Sequence, residues 1–245
     1  MAIPFILSII LQVAFIVHVM KTGRNTMWIY ILLFLSYVGI IAYLVVEVLP
    51  GLSQSRTARR ASRGLRKVLN PQGDLRKYES EARFGGNVAS RQRYAEELTR
   101  QGRHDEAVAE YRQALTGLYE HDPNLMLGLA RAHFEKGDAA AARAALDDLI
   151  RLNPDFKSPE GHLLYARALE GEGNTAKALD EYKAISAYYS GAEACVRYAL
   201  LLNAQGRNDE AQKVAQDLLD GARMAPAHYR RAQRAWLDQA QRLAR

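Results

Sequence analysis

The side chains able to do chemistry are few in this chain, and their spacing suits contact more than turnover. It has no glycine-rich phosphate loop, no Cys or His pair at metal-ligand spacing and no nucleophile motif. Its single cysteine, Cys195, rules out an intramolecular disulfide and reads as a small apolar residue within a helix. His133 falls in an apolar column and reads as a buried histidine; the scattered carboxylates read as solvated helix faces. No enzyme, cofactor or metal centre is therefore expected. What stands out is cationic. Arg56, Arg59, Arg60, Arg63, Arg66 and Lys67 lie within 56–67, and Arg131 and Arg167 recur 36 residues apart. Guanidinium groups bind carboxylates and phosphates through paired hydrogen bonds, so the expected chemistry is recognition of anions.

The net charge of +6 is local. Residues 53–87 carry nine basic and three acidic side chains, whereas 88–245 carry 22 and 23, which speaks against a uniformly basic nucleic-acid surface. In SRTARRASRGLRKVLNP, Ala58, Ala61, Leu65 and Val68 recur at helical intervals, with six cations mostly on the other face. Such a helix can lie on anionic membrane lipid, each cation contributing about 1 kcal/mol, or the run can act as a bare topology signal. It has no aromatic to stack on a base, so nucleic acid is not an expected partner.

Two apolar runs precede it: Ile3 to Met20 and Met27 to Val46, 18 and 20 residues without a formal charge, separated by KTGRNT. Each is long enough for a bilayer core of about 30 Å, and the short link predicts a two-helix transmembrane hairpin. Gln12, Ser36 and Gly39 would meet between its helices. The excess of Lys and Arg after the second run predicts an integral membrane protein with both termini and everything downstream in the cytoplasm. Trp28, Gly39 and Tyr43 in WIYILLFLSYVGIIAY resemble the N-terminal segment of the phospholipase D and cardiolipin synthase family, although Ser36 stands where that family usually has proline. Its catalytic His-x-Lys motif is absent, so the resemblance implies an anchor without the activity.

Periodicity organises the remainder. Gly102, Gly137, Gly173 and Gly206 are spaced by 35, 36 and 33 residues. Seven residues before each stands Ala95, Ala130, Ala166 or Ala199; five after stands Ala107, Ala142, Ala178 or Ala211. Tyr94, Leu129, Tyr165 and Tyr198 form a further column, and Tyr111, Leu146 and Tyr182 a larger apolar one that ends in Ala215. These columns resemble the tetratricopeptide repeat (TPR), helix A and helix B joined at a glycine. The early tryptophan of that pattern is replaced by Arg91, Met126, His162 and Cys195. The expected fold class is all-α: a transmembrane hairpin at 1–52, a basic connector at 53–87, four TPR-like helix pairs at 88–225 and a capping helix at 226–245. Tyr229, Ala232, Trp236, Ala240 and Leu243 would form the buried stripe of that cap.

The TPR resemblance implies a concave groove lined by positions 2, 5, 9 and 12 of each A helix. Position 5 gives Gln92, Leu127, Leu163 and Val196, expected as an exposed apolar line. Position 9 gives Glu96, Arg131, Arg167 and Leu200, and position 12 gives Phe134 and Asn203. Such a groove fits an extended peptide with alternating apolar and acidic residues, unless Arg131 and Arg167 pair internally with Glu96, Glu160 or Glu170. Gln92 and Glu96 stand where chaperone-binding TPR proteins carry Lys and Asn, which disfavours capture of a chaperone tail. The expected function is a membrane-anchored adaptor for a protein or peptide partner. A periplasmic assembly or chaperone-like factor and an accessory protein of a phospholipid pathway are the alternatives.

Overall fold

The computed structural model describes residues 15–17, 19–21, 27–34 and 73–245, and divides into compact units at 1–73 and 74–245. In the first unit, residues 15–17 and 19–21 are helical, and α1 spans Met27–Phe34. Val19 and Leu32 are buried there, packed with Phe15, Ile16, Trp28 and Ile29.

This corrects the expectation of an integral membrane protein with two transmembrane helices and cytoplasmic repeats. Among the described residues, no helix is long and apolar enough to cross a membrane. An uncharged run meets the composition of a span without fixing the length of one helix; of the apolar side chains described here Val19 and Leu32 are covered, while Met20, Met27, Tyr30 and Leu33 are exposed. Gln12, Ser36, Gly39 and Tyr43 lie outside the described residues, as do the six cations Arg56, Arg59, Arg60, Arg63, Arg66 and Lys67 proposed for lipid headgroups.

The second unit is a helical solenoid without strands among the described residues. It opens with α2 (Gly73–Gly85), followed by four antiparallel pairs. These are α3 (Val88–Arg100) with α4 (His104–Ala114), and α5 (Pro123–Glu135) with α6 (Ala139–Leu152). Then come α7 (Pro159–Gly171) with α8 (Thr175–Ser186), and α9 (Glu193–Ala204) with α10 (Asn208–Met224). The chain closes with α11 (Ala227–Ala232) and α12 (Arg234–Leu243).

The glycine column makes the A-to-B turns. Gly102, Gly137, Gly173 and Gly206 hold φ values of 77°, 92°, 79° and 73°. One residue further on, the N–H reaches back to the last turn of helix A: Arg103 to Leu98, Asp138 to His133, Asn174 to Leu169, Arg207 to Leu202. This bond and the left-handed glycine form the Schellman turn, which satisfies the carbonyls a helix end leaves open. A Cβ on Gly173 would meet nothing within 4 Å, so only backbone strain opposes a side chain there. Gly173→Ala is expected to lower the unfolding free energy by about 1–2 kcal/mol, read as a shifted urea midpoint at unchanged slope.

The alanine columns set the distance between paired helices. All eight of these alanines are at most 1% exposed, so their methyls lie where a larger group has no room. Tyr111, Leu146 and Tyr182 fill the larger column and are buried; Ala215 in the fourth pair is buried against Val196 and Ala240 instead. His133 is buried as read, and burial, with Arg112 next in weight, holds its pKa below the usual histidine value. Cys195 is half-buried and free; its thiol contacts the Ser186 carbonyl, and burial pushes its pKa up.

Both ends of the array are covered. Leu75 and Ala82 of α2 join the core built on Tyr94, Ala95 and Leu98. At the other end the single cap helix of the sequence reading is two helices, broken at Gln233, whose side-chain oxygen accepts the Ala192 N–H at 3.1 Å. The buried stripe shifts accordingly: Leu237 and Ala240 are buried, Trp236 is half-buried and Ala232 is exposed.

Candidate partner-binding face

The A helices α3, α5, α7 and α9 carry the expected groove residues, but the structure sorts them into two groups. Leu163 and Val196 are 4% and 1% exposed and belong to the core. Leu163 packs with Ala194 and Tyr198 of α9, and Val196 with Ala215 and with Ala240 of α12. The exposed apolar line expected at position 5 is therefore interrupted, because neighbouring helices cover Leu163 and Val196. Leu127 and Phe134 are half-buried, and Leu200 remains exposed beside exposed Asn203. In α3, Gln92 donates to Glu96 at 3.0 Å.

The two arginines also part company. Arg131 is exposed and forms no ion pair among the described residues. Arg167 lies over the Phe134 ring, 4.5 Å from its centroid, and 4.0 Å from Glu193. Glu193 pairs with Arg197 at 2.7 Å, and Arg197 lies 5.3 Å over Trp236. Phe134, Arg167, Glu193, Arg197 and Trp236 thus form a ladder across α5, α7, α9 and α12. Sequence reasoning had offered Arg167 to Glu160 or Glu170. Glu170 instead accepts the Tyr182 hydroxyl at 2.5 Å.

Tyr111 brings Glu96 and Arg131 to one place. Its ring comes from α4 and passes Gly128 of α5, where an added Cβ would lie 2.5 Å from Cζ and 2.8 Å from the hydroxyl oxygen. Burial chiefly, then the Glu96 charge, push its hydroxyl above the usual tyrosine pKa, while Arg131 opposes them. A glycine inside a helix was the available signal, and here it marks a close approach.

The column that replaces the early tryptophan carries four different ties. Arg91 pairs with Glu110 at 2.7 Å, and His162 Nε2 with Glu181 at 2.6 Å, each spanning 19 residues within one repeat. In the second pair Met126 is buried, with Asn153 donating to its sulfur. His162 Nδ1 also meets the Tyr188 hydroxyl.

That histidine borders a cavity of about 760 Å³ between α6, the 153–158 connection, the start of α7 and the end of α8. None of the groove residues lines it. Tyr165 donates to Asp147 at 2.9 Å on its wall, and burial, with this bond, raises the Tyr165 pKa to about 12.

Residues 98–168 match the family model described as tetratricopeptide repeat. No protein of curated function matches the chain. Among solved structures it is similar to a thermophilic TPR protein in Thermus thermophilus, at 20% identity over 76% of this chain and 94% of that one, with a TM-score of 0.53. It is similar also to a Podosopora anserina protein of nearly identical TPR-like repeats, at 20% identity over 64% and 86%, with a TM-score of 0.50. At such identities the likeness is one of fold. With the glycine turns and alanine columns above, it defines a TPR α-solenoid, an architecture whose curved face suggests a protein-interaction scaffold.

Proposed function

We propose that this chain is a non-enzymatic adaptor that holds an extended, acid-containing segment of a protein partner along its A-helix face. The observation that carries the reading is Arg131: an exposed guanidinium on the second A helix, one repeat before the stacked Arg167 in the same column. A carboxylate meeting a preplaced guanidinium gains charge-assisted, two-point hydrogen bonding. Half-buried Leu127 and Phe134 and exposed Leu200 supply partial apolar contact, so the acidic positions of the partner weigh more than its apolar ones.

Arg131 is the cleaner residue to test, since Arg167→Glu would also break the ladder to Phe134 and Glu193. Extended peptides with alternating apolar and acidic residues should bind the wild-type chain. Arg131→Glu should weaken them by about tenfold or more at an unchanged melting temperature. Peptides with Lys in place of the acidic residues should not bind the wild type. Equal affinity of Arg131→Glu and wild type for the acidic peptides would sink this reading.

A further inference from the structure

The cavity beside His162 has a composition that selects a ligand class. Its volume, about 760 Å³, lies in the range of small-molecule pockets. One wall is hydrocarbon, from Leu146, Leu149 and Ile150 of α6 and Phe156 of the connection. The polar side chains on its wall include Asp147, His162, Tyr165, Glu181 and Tyr188.

Hydrogen bonding on that wall uses up donors and leaves acceptors. A neutral imidazole satisfies both of its contacts by accepting the Tyr188 O–H at Nδ1 and donating Nε2–H to Glu181. Tyr165 spends its proton on Asp147. What remains is the second carboxylate oxygen of Glu181, the lone pairs of the Tyr188 oxygen, and two tyrosine rings.

Two cations, Arg151 and Lys157, also line the cavity. Arg143 bridges Asp147 and Glu172, Arg151 pairs with Asp148 at 2.7 Å, and Lys157 is exposed in the connection. Glu181 is different: among the described residues no Lys or Arg pairs with it, and its contact is with the His162 ring. Its side chain is 36% exposed, so its charge is only partly screened by water.

We propose that this cavity binds an organic cation: a primary ammonium or guanidinium group on an apolar stem. The head sits at Glu181 between Tyr165 and Tyr188, where carboxylate and ring faces both attract positive charge. The stem lies along Leu146, Leu149, Ile150 and Phe156. A free amine and a lysine or arginine side chain of another protein share this chemistry.

The test is calorimetric titration of the full chain with 2-phenylethylamine, its neutral isostere 2-phenylethanol and the anion 3-phenylpropionate. The amine should bind about tenfold tighter than the alcohol, and the anion should not compete. Glu181→Gln should abolish the advantage of the amine while leaving alcohol binding in place. Ile150→Ala, at an exposed position outside the hydrogen-bond network, should weaken amine and alcohol alike and serves if Glu181→Gln perturbs the fold. A lysine-containing peptide and its acetyl-lysine counterpart separate the two sources. Tighter binding of the lysine peptide than of the free amine assigns a protein side chain, and the reverse assigns a small molecule. Binding of the anion at or above the level of the amine, no binding by any cation, or an amine preference that survives Glu181→Gln would each overturn the assignment.

Discussion

Tyr182→Ala is expected to cost about 3–5 kcal/mol of unfolding free energy, enough to leave a solenoid of this size marginal. The ring is fully buried in the core that joins α7, α8 and α9, against Leu163, Ala166, Leu169, Ile185, Ala194 and Tyr198. Truncation opens a cavity that three helices cannot collapse into together. It also strips Glu170 of the hydroxyl that it accepts at 2.5 Å. Burial, and next the bond to Glu170, push that hydroxyl well above the usual tyrosine pKa, so it stays a donor throughout the working range of the protein. Tyr182→Phe keeps the ring and loses only the bond, with an expected cost of about 1.5–3 kcal/mol because the acceptor is charged. Urea unfolding followed by circular dichroism separates the two variants. Equal losses would mean that the hydrogen bond and not the packing carries the effect.

Gly128→Ala is the second large effect, and its sign is the reverse of the usual one. An alanine inside a helix ordinarily stabilises by about 1 kcal/mol over glycine. Here the new methyl would lie 2.5 Å from Tyr111 Cζ, on a ring that is itself 3% exposed and held by the first core. The ring is not the loose end of a flexible chain, so α4 and α5 must part or Tyr111 must leave its rotamer. Overpacking of this kind costs about 1–3 kcal/mol, which exceeds the propensity gain. The double variant Gly128→Ala, Tyr111→Leu should regain part of the loss, because the clash is removed with its partner. If Gly128→Ala proved more stable than wild type in a thermal melt, the close approach of α4 and α5 would be wrong.

Much of the solenoid was legible because its determinants are single residue types at a fixed period. A glycine at positive φ and an alanine methyl between two helices leave no alternative side chain, so each column shows through divergence elsewhere. The groove was harder to read. Position 5 looks the same in Leu127 and Leu163, yet one is half-buried and the other is core, depending on what the following helix places over it. The ladder through Glu193, Arg197 and Trp236 joins residues from different repeats and has no period to reveal it. One signal was present and unread: Arg91 with Glu110, and His162 with Glu181, pair a nitrogen side chain with a carboxylate at the same 19-residue spacing. At that spacing the second and fourth repeats pair Met126 with Ala145 and Cys195 with Val214. The cavity lies beside the 153–158 connection and joins residues of α6, α7 and α8 that no shared period links. The long apolar runs predicted spans that no described helix makes, since hydropathy alone does not fix the length of a helix.

The sealed ends of the array have a consequence for assembly. A helical repeat is a tile with two complementary faces, and an unsealed stack presents both to solution, so that identical molecules can join head to tail without closing. Here Leu75 and Ala82 occupy one terminal face, and Leu237 and Ala240 occupy the other, all at most 9% exposed. These four side chains are therefore withheld from any head-to-tail contact between copies.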